Sequence, residues 1–280
     1  IRSYEKAEIE LERVLTLYHR PDQLNLTIRL HAMNEIAMVH EALGNYVEAE
    51  PMLEELLQRR TQSLGANHND VIDAQIDLAI VYRRIGKLEQ AENRCTQSLS
   101  LLNDQNRTQD DPMLLRCMTE LSRIYLASDK IQQAESLARN TYERSRLRFG
   151  ANNPKSLQRG QVLVECLGKL GRLDDAQDLS TQIVSKLQLA LGQSHPDTLG
   201  AMDSLANIAA ARNDFNLALE QYLQILKLKE EELGSMHPET LNTLNATAEI
   251  YRKLDMLEEA KKAQYTVYQR LQEKYGHEHP

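Results

Sequence analysis

The chain of 280 residues has no tryptophan, two phenylalanines and three cysteines. So few large aromatic side chains are unusual for a layered α/β enzyme, and the mean hydropathy of −0.53 is ordinary for helices that each bury one apolar stripe. Basic residues are also in deficit, with a net charge of −8 and a pI near 5.6. This balance argues against nucleic-acid binding, because no basic surplus can displace counterions from phosphates.

Long apolar segments are missing too. No run of 18 apolar residues and no charged-then-apolar leader occur, so we expect neither a membrane span nor a signal sequence. The cysteines, Cys95, Cys117 and Cys166, form no CxxC motif and are odd in number. We therefore expect them to pack as small apolar side chains in a reduced, cytoplasmic protein.

The sequence also lacks the common catalytic and nucleotide-binding motifs. There is no GxxxxGK[ST], GxGxxG, HExxH or GxSxG. His277 and His279 are spaced like a metal pair, but His279 precedes a proline in the same way as His195 and His237. We expect no enzymatic activity, no cofactor and no metal site.

What the sequence does contain is a fixed spacing of 42 residues. The segment LGQSHPDTL at 191–199 returns as LGSMHPETL at 233–241. Five of the seven prolines keep this step: Pro112, Pro154, Pro196, Pro238 and Pro280. A period between 20 and 50 residues is typical of stacked supersecondary units.

An alanine marks the same point of every repeat, and we call it the anchor alanine. The six anchor alanines are Ala49, Ala91, Ala134, Ala176, Ala218 and Ala260. Their steps are 42 residues except for one of 43, and the additional residue falls in the irregular loop 103–111. Ala7 lies 42 residues before Ala49 and continues the series toward the start of the chain.

Each repeat contains the pattern of two helices. The first opens at the periodic proline, which suits the first helical position, and ends at a Gly, Asn or Asp turn. The second has apolar residues three before and seven and eight after the anchor alanine, as an amphipathic helix does. The predicted repeats are 25–65, 69–107, 112–150, 154–192, 196–234 and 238–276. Residues 1–20 match a lone second helix and 277–280 the start of a seventh repeat, which indicates a piece of a longer array.

The helix predicted over 155–170 departs from the pattern. Gly160 and Gly168 each cost about 1 kcal/mol relative to alanine in a helix interior. Val164 stands where the other repeats have mostly Ala or Ser. Two interpretations stay open: Gly160 makes room for Val164 in compensated packing, or this helix is a flexible joint.

The segment IDLAIVYRRIGKLEQAE at 76–92 resembles a tetratricopeptide repeat. The 42-residue period with LGxxHPxTL resembles the version found in kinesin light chains, in NLR-like sensors and in bacterial signalling proteins. The resemblance implies an all-α fold, a TPR α-solenoid in which antiparallel helix pairs form a right-handed superhelix. It also implies that the first helices line a concave groove, which binds a peptide or a partner protein.

By the same resemblance, groove residues stand 18, 15, 14, 11 and 8 positions before each anchor alanine. The candidates are Asn34, Glu35, Asp73, Asp77, Arg83, Arg116, Glu120, Arg123, Gln161, Asn207, Asn242, Asn245 and Arg252. Kinesin light chains typically have Asn fourteen before the anchor, where this chain has Glu35, Asp77 and Glu120 in repeats one to three.

Glu35, Asp77 and Glu120, which we call the acidic row, lead to two hypotheses about the partner. In the first, a segment with Lys or Arg faces repeats one to three while its extended backbone faces the amides of repeats five and six. In the second, the carboxylates are solvated or are neutralised by Arg83, Arg116 and Arg123 within the groove.

These features predict a non-catalytic module for protein–protein interaction. The alternative is a regulatory arm that senses a ligand or partner and controls an NTPase, kinase or protease domain elsewhere in a longer chain. We expect a monomer, with end-to-end stacking of exposed terminal helices as an alternative.

Overall fold

A computed structural model of the chain describes residues 9, 10, 13 and 23–275. This part of the chain forms twelve main α-helices and no strand. They are α1 (Gln23–Leu43), α2 (Tyr46–Leu64), α3 (Asn69–Arg84), α4 (Leu88–Asp104), α5 (Pro112–Ala127), α6 (Ile131–Phe149), α7 (Pro154–Lys169), α8 (Leu173–Leu191), α9 (Pro196–Ala211), α10 (Phe215–Glu232), α11 (Pro238–Lys253) and α12 (Leu257–Tyr275). Residues 9, 10 and 13 are helical, and the rest of the predicted helix over 1–20 and the start of a seventh repeat at 277–280 lie outside the described residues.

Short connections set the order in which the helices pack. Turns of two to seven residues join consecutive helices, so neighbours in sequence run antiparallel. Helices α1 to α5 each pack on the next, and so do α7 to α12. The contacts divide the chain into an N-terminal unit, Ile1–Leu137, and a C-terminal unit, Ala138–Pro280, with the boundary inside α6.

The His-Pro motif is the start of a helix. His195 and His237 are the N-cap residues of α9 and α11, and the Nδ1 atom of each accepts the backbone N–H two residues later at 3.2 Å. His68, Asp111 and Asn153 hold the same position at α3, α5 and α7. Each side chain satisfies one of the N–H groups that a helix start leaves without a partner. The repeated histidine therefore has a structural role.

The predicted turn residues close the first helices in the left-handed conformation. Gly86 has φ of 82° and Asn213 has φ of 64°, and the same positive sign is found at Gly44, Asp129, Gly171 and Asp255. Glycine adopts this conformation without steric cost, and Asn and Asp tolerate it better than other residues. The alternation of Gly, Asn and Asp at one register position thus has a single backbone cause.

The anchor alanines lie where the two helices of a repeat approach each other. Ala49, Ala91 and Ala134 are fully buried, as are Ala176 and Ala218. Twelve positions earlier, on the first helix, stand further small buried side chains, Ala37, Ala79, Ser122, Ala206 and Ala248 among them. Small residues on both helices allow close packing, and Leu, Ile and Tyr side chains fill the space beside them.

Loop 103–111, which carries the additional residue, is fastened to the preceding loop. Arg107 donates to Asn69 and also to Asp111 at 3.1 Å. Gln105 Nε2 donates to the carbonyl of Asn67 at 2.7 Å. The 43-residue step is therefore accommodated by side-chain hydrogen bonds between loops.

Neighbouring side chains in the C-terminal unit leave no room for a Cβ atom at Gly160. A Cβ atom on Gly160 would lie 2.8 Å from Ile183 Cδ1 and 2.9 Å from Tyr142 Cε2. The expectation that Gly160 makes room for Val164 is therefore wrong about the neighbour, because the space is taken by side chains of α6 and α8. Gly168 has nothing within 4 Å of an added Cβ.

These surroundings predict opposite effects for two alanine substitutions in one helix. We expect Gly160→Ala to destabilise the protein by up to about 2 kcal/mol, because overpacking costs about 1–3 kcal/mol against a propensity gain of about 1 kcal/mol. Gly168→Ala should stabilise it by up to about 1 kcal/mol. Chemical denaturation measures both, and equal stabilisation by the two would contradict the packing described here. Hydrogen exchange of α7 in the wild type tests the joint hypothesis, which requires faster exchange than in α9.

Candidate functional site

We define the first-helix surface by the side chains 18, 15, 14, 11 and 8 positions before each anchor alanine. In the N-terminal unit these side chains belong to α1, α3 and α5, and in the C-terminal unit to α7, α9 and α11. The two sets are described separately below. All thirteen candidate residues lie on these helices, and they differ in what they contact.

Arg116 joins α5 to α3 in the N-terminal unit. Its guanidinium donates to both Asp73 and Asp77, which stand one helical turn apart. Asp77 is buried, whereas the Asp73 side chain keeps 43% of its exposure. Burial raises the pKa of Asp77, and the pairing with Arg116 opposes this rise. The inner carboxylate is thus held by Arg116, and the outer one also faces solvent.

Glu120 makes the reciprocal connection from α5. Its side chain is 2% exposed, accepts a hydrogen bond from Arg83 Nε on α3 and lies 3.6 Å from Arg123 Nη1. Burial by itself would raise the pKa of Glu120, but Arg83 and Arg123 outweigh it, and the pKa is lowered. Two carboxylates of the acidic row, Asp77 and Glu120, are therefore paired with the arginines that the second hypothesis names.

The third member of the acidic row is in a different situation. Glu35 on α1 is half-buried and forms no ion pair with another described residue. Asn34 beside it accepts a hydrogen bond from Arg60 Nη1 at 3.5 Å. The pKa of Glu41, six residues further along α1 on the same surface, is raised by burial and by Asp77.

In the C-terminal unit, α7 is joined to α9 through glutamines. Gln161 Nε2 donates to the carbonyl of Asp197 at 2.9 Å, and Gln158 Nε2 donates to the Asp197 carboxylate at 2.6 Å. Both glutamines are half-buried. Gln161 is thereby used to hold the start of α9.

Lys229 holds a buried polar cluster that the sequence did not reveal. Its Nζ atom donates to the carboxylate of Asp203 and, at 3.1 Å, to Thr243 Oγ1. Thr243 in turn donates to Asp203 Oδ1 at 3.1 Å, which joins α9 to α11. Burial raises the pKa of Asp203, and Lys229 and Thr243 oppose the rise. The Lys229 side chain is only 3% exposed.

Arg60 and Lys229 occupy the same register position, eleven residues after their anchor alanines. Each reaches a side chain 26 residues earlier and a backbone carbonyl ten residues later, at Asp70 for Arg60 and at Glu239 for Lys229. Leu102 and Leu187 fill this position elsewhere and are fully buried. A basic residue at a register position that is leucine in three of the six repeats was the available signal for both clusters.

The remaining candidates form an exposed polar group on α9 and α11. Asn207, Asn242, Asn245 and Arg252 are all exposed. Asn207 Oδ1 accepts a hydrogen bond from the Tyr222 hydroxyl at 2.5 Å. Within the described part of the chain, Asn242 and Asn245 make no side-chain hydrogen bond. These two amides can therefore bind another molecule without breaking an existing contact.

The three cysteines lie outside this surface. Cys95, Cys117 and Cys166 are buried and form no disulfide. A hydrogen bond with Cys117 and burial raise the pKa of the Cys95 thiol. Among residues 23–275 no cluster of His, Cys, Asp and Glu is arranged to hold a metal ion. In the same range no helix is long and apolar enough to cross a membrane.

Comparisons with known proteins give the family. Models of the tetratricopeptide repeat match residues 28–104, 114–155 and 198–239, together more than half of the chain. No curated protein matches the chain.

Solved structures with the same fold include members of two groups. One is a kinesin light chain-like protein of Podosopora anserina with nearly identical TPR-like repeats; it is 23% identical over 72% of this chain and 95% of its own, with a TM-score of 0.56. Another is the Rap conjugation gene regulator of plasmid pLS20 in complex with the Phr* peptide. It is 16% identical over 99% of this chain and 73% of its own, with a TM-score of 0.71. A Rap protein complexed with competence and sporulation factor is 13% identical over 94% of this chain and 79% of its own, with a TM-score of 0.68.

At these identities the solved structures establish the fold, an all-α solenoid of helix pairs. The repeat matches and the six helix pairs agree with it. Arrays of this kind are typically non-catalytic and serve protein interaction. The chain belongs to the tetratricopeptide repeat family.

Proposed function

We propose that this chain binds an extended peptide segment of a partner protein along its first-helix surface, without catalysis or a cofactor. The observation that carries the proposal is the exposed group of amides on α9 and α11, Asn207, Asn242 and Asn245. A side-chain amide has both donors and an acceptor and matches a peptide backbone in either direction. The Asp203–Thr243 hydrogen bond joins the two helices that present these amides.

The N-terminal unit suits a basic part of the same kind of segment. Its first-helix surface has carboxylates at Glu35, Glu41, Asp73, Asp77 and Glu120, and arginines at Arg83, Arg116 and Arg123. The arginines neutralise the buried carboxylates, and the net charge of these eight side chains is negative. The half-buried Glu35 and the outer Asp73 are the carboxylates left for a Lys or Arg of the partner. We therefore place basic partner residues at repeats one and two.

The structural similarity to Rap proteins supports a peptide as the ligand. One of those structures contains the bound Phr* peptide, and another contains competence and sporulation factor. The same similarity supports the alternative of a regulatory arm, since one of them is a conjugation gene regulator. In that alternative the array senses a ligand or partner and controls an enzymatic domain elsewhere in a longer chain.

The role of these amides in binding can be tested with peptides that are selected from a displayed random library for binding to the whole chain. We expect Asn242→Ala/Asn245→Ala to weaken the binding of a selected peptide at least about 5-fold, because two to three lost hydrogen bonds contribute about 0.5–1.5 kcal/mol each. The matched control is Asn216→Ala/Gln264→Ala, which removes exposed amides from α10 and α12. Titration by fluorescence anisotropy gives the affinities. Equal affinity of the two double variants would refute binding through α11.

A further inference from the structure

A second groove lies between α2 and α4 of the N-terminal unit. Two cavities of about 260 and 400 Å³ share Arg94 in their lining. Tyr82 and Leu78 of α3 contribute to the floor. None of the lining residues belongs to the first-helix surface. We call this feature the α2/α4 groove.

Arg94 is unusual for its place in the repeat. It stands three residues after Ala91, where the other repeats have Met52, Leu137, Leu179, Gln221 and Ala263. Its side chain is half-buried, and it forms no ion pair within the described part of the chain. Glu54 also lines the groove, and its carboxylate accepts the Tyr82 hydroxyl at 2.7 Å without forming an ion pair with Arg94. A partly desolvated arginine that has no ion-pair partner favours an anionic group of a ligand.

Side-chain amides flank Arg94 on both walls of the groove. Gln58 and Gln62 stand one turn apart on α2, and Gln90, Asn93 and Gln97 share one face of α4. All five are exposed. Because helix positions three, four and seven apart face the same way, the two sets form opposing rows.

The corresponding positions of other repeats are different in kind. Between α8 and α10 they include Leu189 and Leu217, and between α10 and α12 they include Lys227 and Glu231. Neutral amides on both walls with a central arginine occur at α2 and α4. The composition is therefore a feature of this groove and not of the repeat pattern.

We propose that the α2/α4 groove binds an extended acidic peptide segment. An Asp or Glu side chain of the peptide, or its C-terminal carboxylate, pairs with Arg94. The amide rows hydrogen bond the peptide backbone on either side of the carboxylate. This site is independent of the proposed first-helix surface, which has a negative surplus in the same unit and would repel such a segment.

The test uses a displayed library of random dodecapeptides selected on the whole wild-type chain and, in parallel, on Arg94→Leu. Leucine occupies this register position at Leu137 and Leu179, so the variant keeps a side chain that the repeat accepts. We expect peptides with Asp or Glu to be enriched on the wild type and to bind Arg94→Leu at least 10-fold more weakly. Asn242→Ala/Asn245→Ala should bind the same peptides with unchanged affinity, which separates this site from the first-helix surface.

Hydrogen exchange with a selected acidic peptide locates the binding. Slower exchange in segments 54–62 and 90–97 supports the proposal. The proposal is overturned if acidic peptides are not enriched, or if they bind wild type and Arg94→Leu equally. It is also overturned if protection appears on α9 and α11 alone.

Discussion

Replacing Lys229 by leucine is expected to destabilise the C-terminal unit by about 3–5 kcal/mol at pH 7, as removal of one partner from a buried ion pair does. The shape of leucine suits the site, because Leu102 and Leu187 are fully buried at the same register position. What the substitution removes is the charge that balances Asp203. The Thr243 hydroxyl remains as a donor to Asp203, but it carries no charge.

The destabilisation should depend on pH with a defined sign. Burial already places the pKa of Asp203 above its ordinary value of 3.8, and the loss of Lys229 removes the opposing attraction. A carboxyl whose pKa is higher in the folded state binds more protons there, so its contribution favours folding at low pH and is lost as the pH rises through the folded pKa. The difference between wild type and Lys229→Leu is therefore largest near pH 7 and shrinks as the pH falls toward 3.8.

Hydrogen exchange of the α9 and α11 amides measures this effect locally, since an array need not unfold in one step. Lys227→Leu is the matched control, because Lys227 is exposed on the same helix. Adding Asp203→Asn to Lys229→Leu should recover part of the loss. Equal exchange in the two lysine variants would show that the buried charge is not what holds these helices.

Arg83→Leu is the corresponding experiment in the N-terminal unit, again with an expected loss of about 3–5 kcal/mol at pH 7. Glu120 would stay buried with Arg123 at 3.6 Å as its remaining ion-pair partner among the described residues, and Arg84 would attract it more weakly. In the wild type the pKa of Glu120 is below its ordinary value of 4.5. Such a carboxylate stabilises the fold above its unfolded pKa, and the stabilisation is lost as the pH falls through the folded pKa. Arg83→Leu and wild type should therefore converge below about pH 4.5.

Arg84→Leu is the control for this prediction. Arg84 is exposed, lies 5.6 Å from the centre of the Tyr46 ring and attracts Glu120 more weakly than Arg83 does, without a hydrogen bond to it. An exposed cation–π contact contributes about 0.5–1 kcal/mol, so this variant should lose clearly less stability than Arg83→Leu. Urea denaturation at pH 7 and at pH 4 gives both differences. A similar loss for the two arginine variants, or a loss at Arg83 that does not change with pH, would contradict the pairing of Arg83 with Glu120.

The architecture could be predicted because the same types of residue recur at the same positions of every repeat. The proline and alanine spacings set the register, and the turn residues at Gly86, Asp129 and Asn213 mark where first helices end. Each of these signals depends on backbone conformation or on packing within one helix pair, and both are local. The TPR fold followed from them and from the resemblance.

The contacts of the site were harder to predict, because they join repeats about 40 residues apart. The register shows that Arg116 and Asp73 share a surface, but not that Arg116 spans two carboxylates of the preceding first helix. Gly160 was assigned the wrong neighbour for the same reason, since Tyr142 and Ile183 reach it from other helices. Side-chain reach across helices depends on helix spacing, which the sequence pattern does not contain.

Lys229 and Arg94 show which signal would have found the missed features. Each is a basic residue in a register column that is mostly apolar in the other repeats. In the sequence, His195 and His237 directly precede the proline that opens a helix, and the structure adds that their Nδ1 atoms accept a backbone hydrogen bond. Comparing the residues at one register position across all repeats therefore reveals sites that a motif search within one repeat does not.

The central claim is that a partner segment lies along the first helices. Hydrogen exchange of the whole chain, with and without a library-selected peptide whose affinity falls in Asn242→Ala/Asn245→Ala, tests it most directly. We predict slower exchange in α9 and α11 and unchanged exchange in α10 and α12. Protection confined to α10 and α12, with α9 and α11 unaffected, would contradict the claim.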